Sequence, residues 1–250
     1  MTKLKEIKTF LDQYLKIKSI KDDSINGLQF KAKDRVKKIG FSVDVGLEIY
    51  KKAKQNKVDL IIVHHGEYWK SVNKKEPIIR KRIAFLKNAG ISLYAAHLPL
   101  DKHPVVGNNI QLFKIIKCQI NKPAIKKNGK FISWVGINKN KLSLDEIKKI
   151  LERKLKTKCI VLPYGPKKIR RIIICSGGPK FNQFMEAINK CELYISGGTS
   201  EINTVAQDSK INVIFARHYN TETVGLKALM KVIESKFKCK TVFLDLPTPY

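Results

Sequence analysis

The stretch DLIIVHHG, residues 59–66, joins a continuous apolar run to two adjacent histidines, and it decides the fold. Four successive aliphatic residues, Leu60 to Val63, are typical of a strand buried on both faces of a parallel sheet. His64 and His65 follow where that strand would end. Ligands of open α/β sheets bind beyond the carboxyl ends of the strands. We therefore expect the two histidines to lie at a binding site.

The segments around this stretch alternate between strand and helix patterns. Strand patterns occupy residues 37–45 and 91–97, and helix patterns occupy residues 47–57 and 80–90. The same alternation continues to the carboxyl terminus, including an amphipathic helix at 142–156. Ser143 is its expected N-cap, with Glu146 at the capping-box position. This order of elements predicts an α/β protein with mostly parallel sheets.

The two halves of the chain resemble each other. The first half carries IGFSVDV (39–45), DLIIVHHG (59–66) and ISLYAAHLPLD (91–101), and the second carries IIICSGG (172–178), ELYISGGTSE (192–201) and INVIFARHYNTE (211–222). In each half a histidine precedes a carboxylate by four residues, directly after a strand. We expect two similar three-layer α/β halves, residues 1–125 and 126–250, with the strand ends of both facing one cleft that holds a metal site.

Four of the five histidines lie at the predicted ends of three strands. Neutral imidazole is the commonest protein ligand for zinc and related metals, and carboxylates can supply further oxygens or bridge two ions. The sequence therefore predicts a site for two divalent ions of Zn, Mn or Fe. Its expected ligands are His64, His65, Asp101, His218 and Glu222.

Each ligand also has a plainer interpretation. One member of the histidine pair would be a core residue and the other a surface residue. Asp101 would be a turn residue between two prolines, and Glu222 an acidic residue favoured by the dipole of a helix start. The agreement of order, strand ends and residue chemistry across both halves favours the metal site.

Other residues near these motifs have secondary interpretations. His97 is expected to orient a ligand or to act as a general acid or base, and His103 to be a solvated loop residue. Tyr68 or Trp69 is expected to line the cleft. The glycine-rich segments 196–200 and 177–178 fit either a phosphate-binding loop or a tight turn.

The charge of the chain is unusual. Fifty Lys and Arg residues against 21 Asp and Glu give a net charge of +29. Between Lys114 and Arg171 there are 18 basic and three acidic residues. This segment fits a surface for nucleic acid or another polyanion, or a compositional bias toward lysine. The sequence shows no nucleic-acid-binding motif that decides between them.

The remaining composition bounds the class of protein. The five cysteines are scattered without C-x-x-C spacing, so we interpret them as mostly buried small hydrophobic residues. No apolar run of 18 residues occurs, so no membrane span is expected. The first ten residues fit a helix better than a signal peptide, which favours a cytoplasmic location.

The motifs together resemble a known family. They are INGLQ (25–29), SVDV (42–45), LIIVHHGEYW (60–69), AAHLPLD (95–101), GNN (107–109), YISGGTSE (194–201) and ARHYNTETVGLKAL (216–229). The combination of HHG, HLPLD and H-x-x-x-E resembles the dinuclear-metal family known from the NGG-one-interacting factor three, whose members are often called GTP cyclohydrolase 1 type 2 homologues. The resemblance implies two α/β halves with a two-metal site between them, the same five ligands and a toroidal hexamer. Where the family often carries Gly-His before the metal histidine, this chain has Ala216-Arg217, which places a cation beside the site.

The resemblance implies a hydrolase. Its metal-activated water would attack an amidine, amide or phosphoryl bond of a small nucleotide-like or phosphorylated substrate, with His97 moving protons. The alternative is a non-catalytic nucleic-acid-binding or regulatory metalloprotein that uses its basic surface. A third option is a metal-buffering or assembly protein.

Overall fold

The computed structural model of the protein describes residues 1–198 and 202–249 of the 250-residue chain. Its strands, numbered in chain order, are β1 Thr2–Lys3, β2 Gly27–Phe30, β3 Arg35–Val36, β4 Lys38–Ser42, β5 Leu60–Val63, β6 Ser92–Ala95, β7 Gln119–Pro123, β8 Lys126–Lys127, β9 Lys130–Phe131, β10 Trp134–Ile137, β11 Ile160–Pro163, β12 Arg171–Cys175, β13 Leu193–Ser196, β14 Asn212–Phe215 and β15 Lys240–Phe243. Its helices are α1 Leu4–Tyr14, α2 Leu47–Gln55, α3 Pro77–Ala89, α4 Leu98–Asp101, α5 Asn108–Ile115, α6 Leu144–Leu155, α7 Phe181–Met185, α8 Asn203–Asp208 and α9 His218–Phe237. The predicted α/β class is confirmed.

The chain divides into two compact units. Unit 1 comprises Met1–Leu100 and Leu226–Leu246, and unit 2 comprises Asp101–Gly225 with the tail from Pro247. The boundary predicted between residues 125 and 126 differs from this division. Strand β15 pairs with β4, so the end of the chain belongs to the first sheet. That pairing joins segments about 200 residues apart, and no local sequence pattern predicts it.

Unit 1 is built on a five-stranded sheet in the order β15-β4-β5-β6-β2. All neighbours are parallel except β2, which runs antiparallel to β6. Alternate residues of β5 and β6 face one side of the sheet, where they pack against the apolar stripes of α2 and α3. The residues of this core include Ile49, Ala53, Ile61, Val63, Leu86, Leu93 and Ala95.

Unit 2 is built on a six-stranded sheet in the order β11-β14-β13-β12-β10-β7. Its three neighbouring strands β12, β13 and β14 are parallel, while β7, β10 and β11 pair antiparallel. The sheet is therefore mixed, and the expectation of mostly parallel pairing holds better for unit 1. Only a short hairpin, β8 and β9, separates β7 from β10, and so short a connection permits only antiparallel pairing.

The parallel strands of each unit end in register. In unit 1, Ser42 pairs with Val63, and Val63 pairs with Ala95. In unit 2, the aligned ends are Cys175, Ser196 and Phe215. Both units thus contain three successive parallel strands linked by helices, and the segments that follow them start from one edge of each sheet.

Burial of the cysteines agrees with their expected role as small hydrophobic residues. Four of them are buried and Cys159 is partly exposed, and all five are free thiols. Within the described ranges, none of the helices combines the length and apolar character that a membrane span requires.

Helix α6 begins with the predicted capping box. The Ser143 hydroxyl accepts a hydrogen bond from Glu146 N (3.3 Å), and the Glu146 carboxylate accepts one from Ser143 N (2.7 Å). Two backbone N–H groups that the helix cannot pair internally are thereby satisfied.

We expect Ser143→Ala to lower the free energy of unfolding by about 1 kcal/mol, because an N-cap hydroxyl contributes about that much. Urea unfolding followed by circular dichroism measures the change. Ser71→Ala, in an exposed loop, is the matched control and should leave stability within about 0.5 kcal/mol of the wild type. Equal stability of the two variants would contradict a capping role for Ser143.

Candidate metal centre

Three histidines lie together at the strand ends of unit 1. His64 and His65 directly follow β5, and His97 lies two residues beyond β6. Their ring centroids are 4.7 Å (His64–His65), 5.0 Å (His64–His97) and 5.5 Å (His65–His97) apart. One nitrogen from each ring lies within 4.8 Å of the other two, a spacing that could hold a metal ion.

Each of these rings is held through Nδ1 by an oxygen. His64 Nδ1 donates to the Ala96 carbonyl (2.9 Å), and His65 Nδ1 lies 2.8 Å from the Asp44 carboxylate. His97 Nδ1 lies 2.9 Å from the Asp22 carboxylate. A carbonyl oxygen can only accept, so the neutral His64 ring carries its proton on Nδ1 and its lone pair on Nε2. Metal-binding histidines are oriented in this way, so the three residues fit a divalent cation.

Asp22 is the centre of a buried hydrogen-bond network. Its carboxylate accepts hydrogen bonds from Leu98 N (3.0 Å) and from the Asn26 amide (2.9 Å), while Asn26 Oδ1 accepts one from His97 N (2.7 Å). Burial alone would raise the pKa of Asp22, but the contact with His97 and these donors hold it well below its usual range. The Asp22 carboxylate at Nδ1 fixes the orientation of the His97 ring, as a general acid or base requires.

Sequence reasoning missed Asp22 and Asp44. Asp44 carried a signal, because it lies in the SVDV motif just past the end of β4. Asp22 carried none, because it lies in an irregular polar stretch and reaches His97 across 75 residues of chain.

Unit 2 brings together the other three predicted ligands. Asp101 accepts hydrogen bonds from the Asn108 amide (2.8 Å) and the Ser176 hydroxyl (3.2 Å). His218 Nε2 lies 3.2 Å from Glu222 Oε2 in the first turn of α9. A carboxylate oxygen of Asp101 and one of Glu222 lie within 4.8 Å of each other. Both carboxylates are buried, which is costly unless a cation or donors face them.

Gly177 makes room for this cluster. Its φ is +69°, in the left-handed region that favours glycine, and a Cβ there would lie 2.1 Å from Glu222 Oε1. At Gly178 a Cβ would lie 3.2 Å from His218 Nδ1. These two glycines therefore permit close packing against Glu222 and His218. For the other glycine-rich segment, 196–200, residues 199 and 200 lie outside the described part of the chain.

Cys175 ends β12 beside the same carboxylates. Its burial, followed by the nearby charge of Asp101, raises the pKa of the thiol to about 12. The side chain is therefore a neutral thiol at physiological pH.

The structure distinguishes the two aromatic residues that were predicted to line the cleft, Tyr68 and Trp69. The Trp69 indole lies edge-on to His97 with a centroid distance of 5.1 Å and 6.1 Å from His65. The ring of Tyr68 instead faces the ammonium group of Lys74 at 5.2 Å. Trp69 is thus the aromatic residue at the histidine cluster.

Two further predicted residues have roles in the backbone around the site. His103 was expected to be solvated, but it is buried, and its Nδ1 accepts hydrogen bonds from Val105 N and Val106 N at 3.2 Å. It stabilises the turn that leads to α5. Arg217 has a φ of +65° immediately before His218, an uncommon conformation for a residue with a side chain.

Comparison with known proteins shows a match along nearly the whole chain. The family model described as Duf34/NIF3 (NGG1p interacting factor 3) matches residues 2–249. A curated protein of Pyrococcus horikoshii named GTP cyclohydrolase 1 type 2 homolog is 43% identical over 245 residues, which cover 97% of this chain and 98% of that protein. The resemblance inferred from the motifs is confirmed.

Solved structures show the same fold. The protein ybgI, described as of unknown function, aligns with a TM-score of 0.92 at 27% identity. The protein TTHA1606 from Thermus thermophilus aligns with a TM-score of 0.86 at 31% identity. Both alignments cover 100% of each chain.

We expect Asp22→Ala to lower the free energy of unfolding by about 2 kcal/mol or more. The change leaves Leu98 N and the Asn26 amide without their acceptor, and one unsatisfied buried polar group costs about 1–3 kcal/mol. Urea unfolding measures the effect, and the exposed neighbour Asp23→Ala is the control. A loss no greater than that of Asp23→Ala would show that the network does not stabilise the site.

Proposed function

Because the chain belongs to the DUF34/NIF3 family, we propose that it is a metal-dependent hydrolase that acts on a nucleotide-like substrate. Two divalent ions of Zn, Mn or Fe would be held by His64, His65, Asp101, His218 and Glu222. The nitrogen and carboxylate donors of this set suit these metals. The relatives' name, GTP cyclohydrolase 1 type 2 homolog, supports a nucleotide as the class of substrate.

The observation that carries this proposal is the anchoring of Nδ1 in His64, His65 and His97. Each ring has a buried or partly buried oxygen partner. In His64 and His65 this leaves Nε2 as the ligating atom, and in His97 it leaves Nε2 to move protons. Neighbouring histidines that are each oriented by an oxygen at Nδ1 are typical of a metal site.

The role that we propose for each residue follows from its surroundings. When bound, divalent ions lower the pKa of water and stabilise negative charge in the transition state. His97, with Asp22 at its Nδ1, accepts the proton released by the attacking water and returns it to the leaving group. The Trp69 indole packs edge-on against His97, and its centroid lies 6.1 Å from that of His65. We also infer from family membership that the working form is a homohexamer in the cytoplasm.

We expect about two divalent ions per chain in protein purified without a histidine tag, measured by elemental analysis after reloading with Zn²⁺, Mn²⁺ or Fe²⁺. The double variant Asp101→Asn with Glu222→Gln should retain less than half of this content, because it removes two anionic ligands while keeping their shape. Chelation should abolish turnover of nucleotide and phosphoester substrates.

The control for this experiment is Asp208→Asn with Glu48→Gln, which removes the same charge from exposed positions. Its metal content should match the wild type. Unchanged content in the Asp101 and Glu222 variant, or little metal in the reloaded wild type, would overturn the two-metal site.

The basic segment supports a second candidate function, a nucleic-acid-binding or regulatory metalloprotein. Of the 18 basic residues between Lys114 and Arg171, 16 are exposed. Several surround a cavity of about 510 Å³ at the end of α6, including Lys149, Arg153, Lys156 and Lys158. Clustered exposed cations attract phosphate backbones independently of sequence.

If this function operates, oligonucleotide affinity should fall about 10³-fold or more between 50 and 200 mM salt, as for proteins that contact six or more phosphates. Removal of metal should leave the affinity unchanged. Lys154→Glu with Lys156→Glu should weaken binding more than Lys210→Glu with Lys231→Glu, an equal charge change outside the segment. Equal effects of the two pairs, measured by fluorescence anisotropy, would count against a dedicated surface.

A further inference from the structure

The turn that follows His65 is held by one amide side chain, that of Gln29 in β2. Its Oε1 accepts hydrogen bonds from Glu67 N (2.7 Å) and, at a longer distance, from Tyr68 N (3.4 Å). Its Nε2 donates to the Ile25 carbonyl (2.7 Å) and, at a longer distance, to the Tyr68 carbonyl (3.5 Å). A primary amide offers two acceptor and two donor positions, so all four are used here.

The two short bonds determine which way the amide of Gln29 faces. Glu67 N can only donate and the Ile25 carbonyl can only accept. Exchange of the amide oxygen and nitrogen would therefore place donor against donor and acceptor against acceptor. A carboxylate would face the Ile25 carbonyl without a proton, and an aliphatic side chain would make neither bond. The position thus requires an amide and not merely a side chain of this size.

Gly66 packs directly against the amide of Gln29. A Cβ at residue 66 would lie 2.5 Å from Gln29 Oε1, so a larger residue would displace the amide from its hydrogen bonds. The Gly66 carbonyl accepts a hydrogen bond from Trp69 Nε1 (2.9 Å). The peptide that follows His65 is therefore held by the indole and packed against the amide.

His65 is also held on its amino-terminal side. Its backbone N–H donates to the Val43 carbonyl (2.8 Å), and its Nδ1 lies 2.8 Å from the Asp44 carboxylate. Val43 and Asp44 directly follow β4, whereas Gln29 lies in β2 at the edge of the same sheet. The backbone on the two sides of His65 is thus fixed from two different strands, and the direction of its Nε2 depends on both.

The segment that contains Gln29 also holds the other histidine loop. Ile25, which accepts the hydrogen bond from Gln29, is followed by Asn26. The Asn26 side chain accepts a hydrogen bond from His97 N (2.7 Å). One short segment therefore links the backbone at His97 with the backbone after His65.

We infer that Gln29 is a positioning residue for the candidate metal centre. Its amide fixes the turn after His65 and thereby directs the imidazole toward a divalent ion. The inference rests on the proposed function, because it requires an ion at His65. Gln29 acts through His65 and is not itself a ligand. Residues that orient a metal ligand contribute about 10- to 100-fold to metal affinity.

The test compares metal affinity in variants of Gln29. Gln29→Met keeps the length of the side chain and removes its hydrogen bonds, so Zn²⁺ affinity should fall about 10- to 100-fold. Competition of metal-free protein with a chromogenic chelator for Zn²⁺ measures this change. Gln29→Asn, a milder change whose amide is one methylene too short to reach Glu67 N, should lower the affinity in the same direction. Amide hydrogen exchange at Glu67 in metal-free Gln29→Met should be faster than in the wild type.

Asn212→Leu is the matched control. Asn212 begins β14, at the end of the strand away from His218, and is buried. Its side chain accepts a hydrogen bond from Gly165 N (3.0 Å) and donates one to the Pro166 carbonyl (2.9 Å). The variant therefore loses the same kinds of bond as Gln29→Met. It should lose stability in urea unfolding and keep the Zn²⁺ affinity of the wild type.

Loss of Zn²⁺ affinity in the Gln29 variants alone supports the positioning role. Equal affinity of Gln29→Met and Asn212→Leu, or unchanged hydrogen exchange at Glu67, overturns that role and leaves the metal site in place. A wild type that takes up no Zn²⁺ overturns the proposed hydrolase, and the positioning role with it.

Discussion

The register of the parallel strands is the constraint on which the candidate site depends. In unit 1, Ile61 and Val63 must face the apolar stripes of α2 and α3, and a slip by one residue would turn every side chain to the opposite face. Burial of this core therefore also determines where β5 and β6 end. The positions of His64, His65 and His97 therefore depend on the packing of core residues that lie outside the candidate site.

The candidate site of unit 2 also depends on where a strand ends, and there small residues contribute as much as large ones. The end of β12 leads directly into Ser176 and Gly177. Ser176 bonds to Asp101, and Gly177 leaves the space that Glu222 occupies. A larger side chain at residue 177 would displace a carboxylate that the cluster needs. The glycine is thus part of the site although it offers no ligand atom.

Elements governed by local rules could be predicted from the sequence. The apolar run before His64 and the capping box of Ser143 both depend on residues within a few positions of one another. Features that depend on distant contacts could not. Asp22 contacts His97, which lies 75 residues later in the chain, and β15 pairs with β4. His103 is buried, and its own ring accepts a hydrogen bond from the turn that follows it. The antiparallel pairing of β7 with β10 follows from a short connection that the alternation of strands and helices does not reveal.

The burial of Cys175 bears on how the protein withstands oxidation. Oxidants attack cysteines that are accessible to solvent and have thiolate character. Cys175 is buried, and burial raises the pKa of its thiol. A sulfur atom can therefore lie near Asp101 and Glu222 without becoming a target for peroxide.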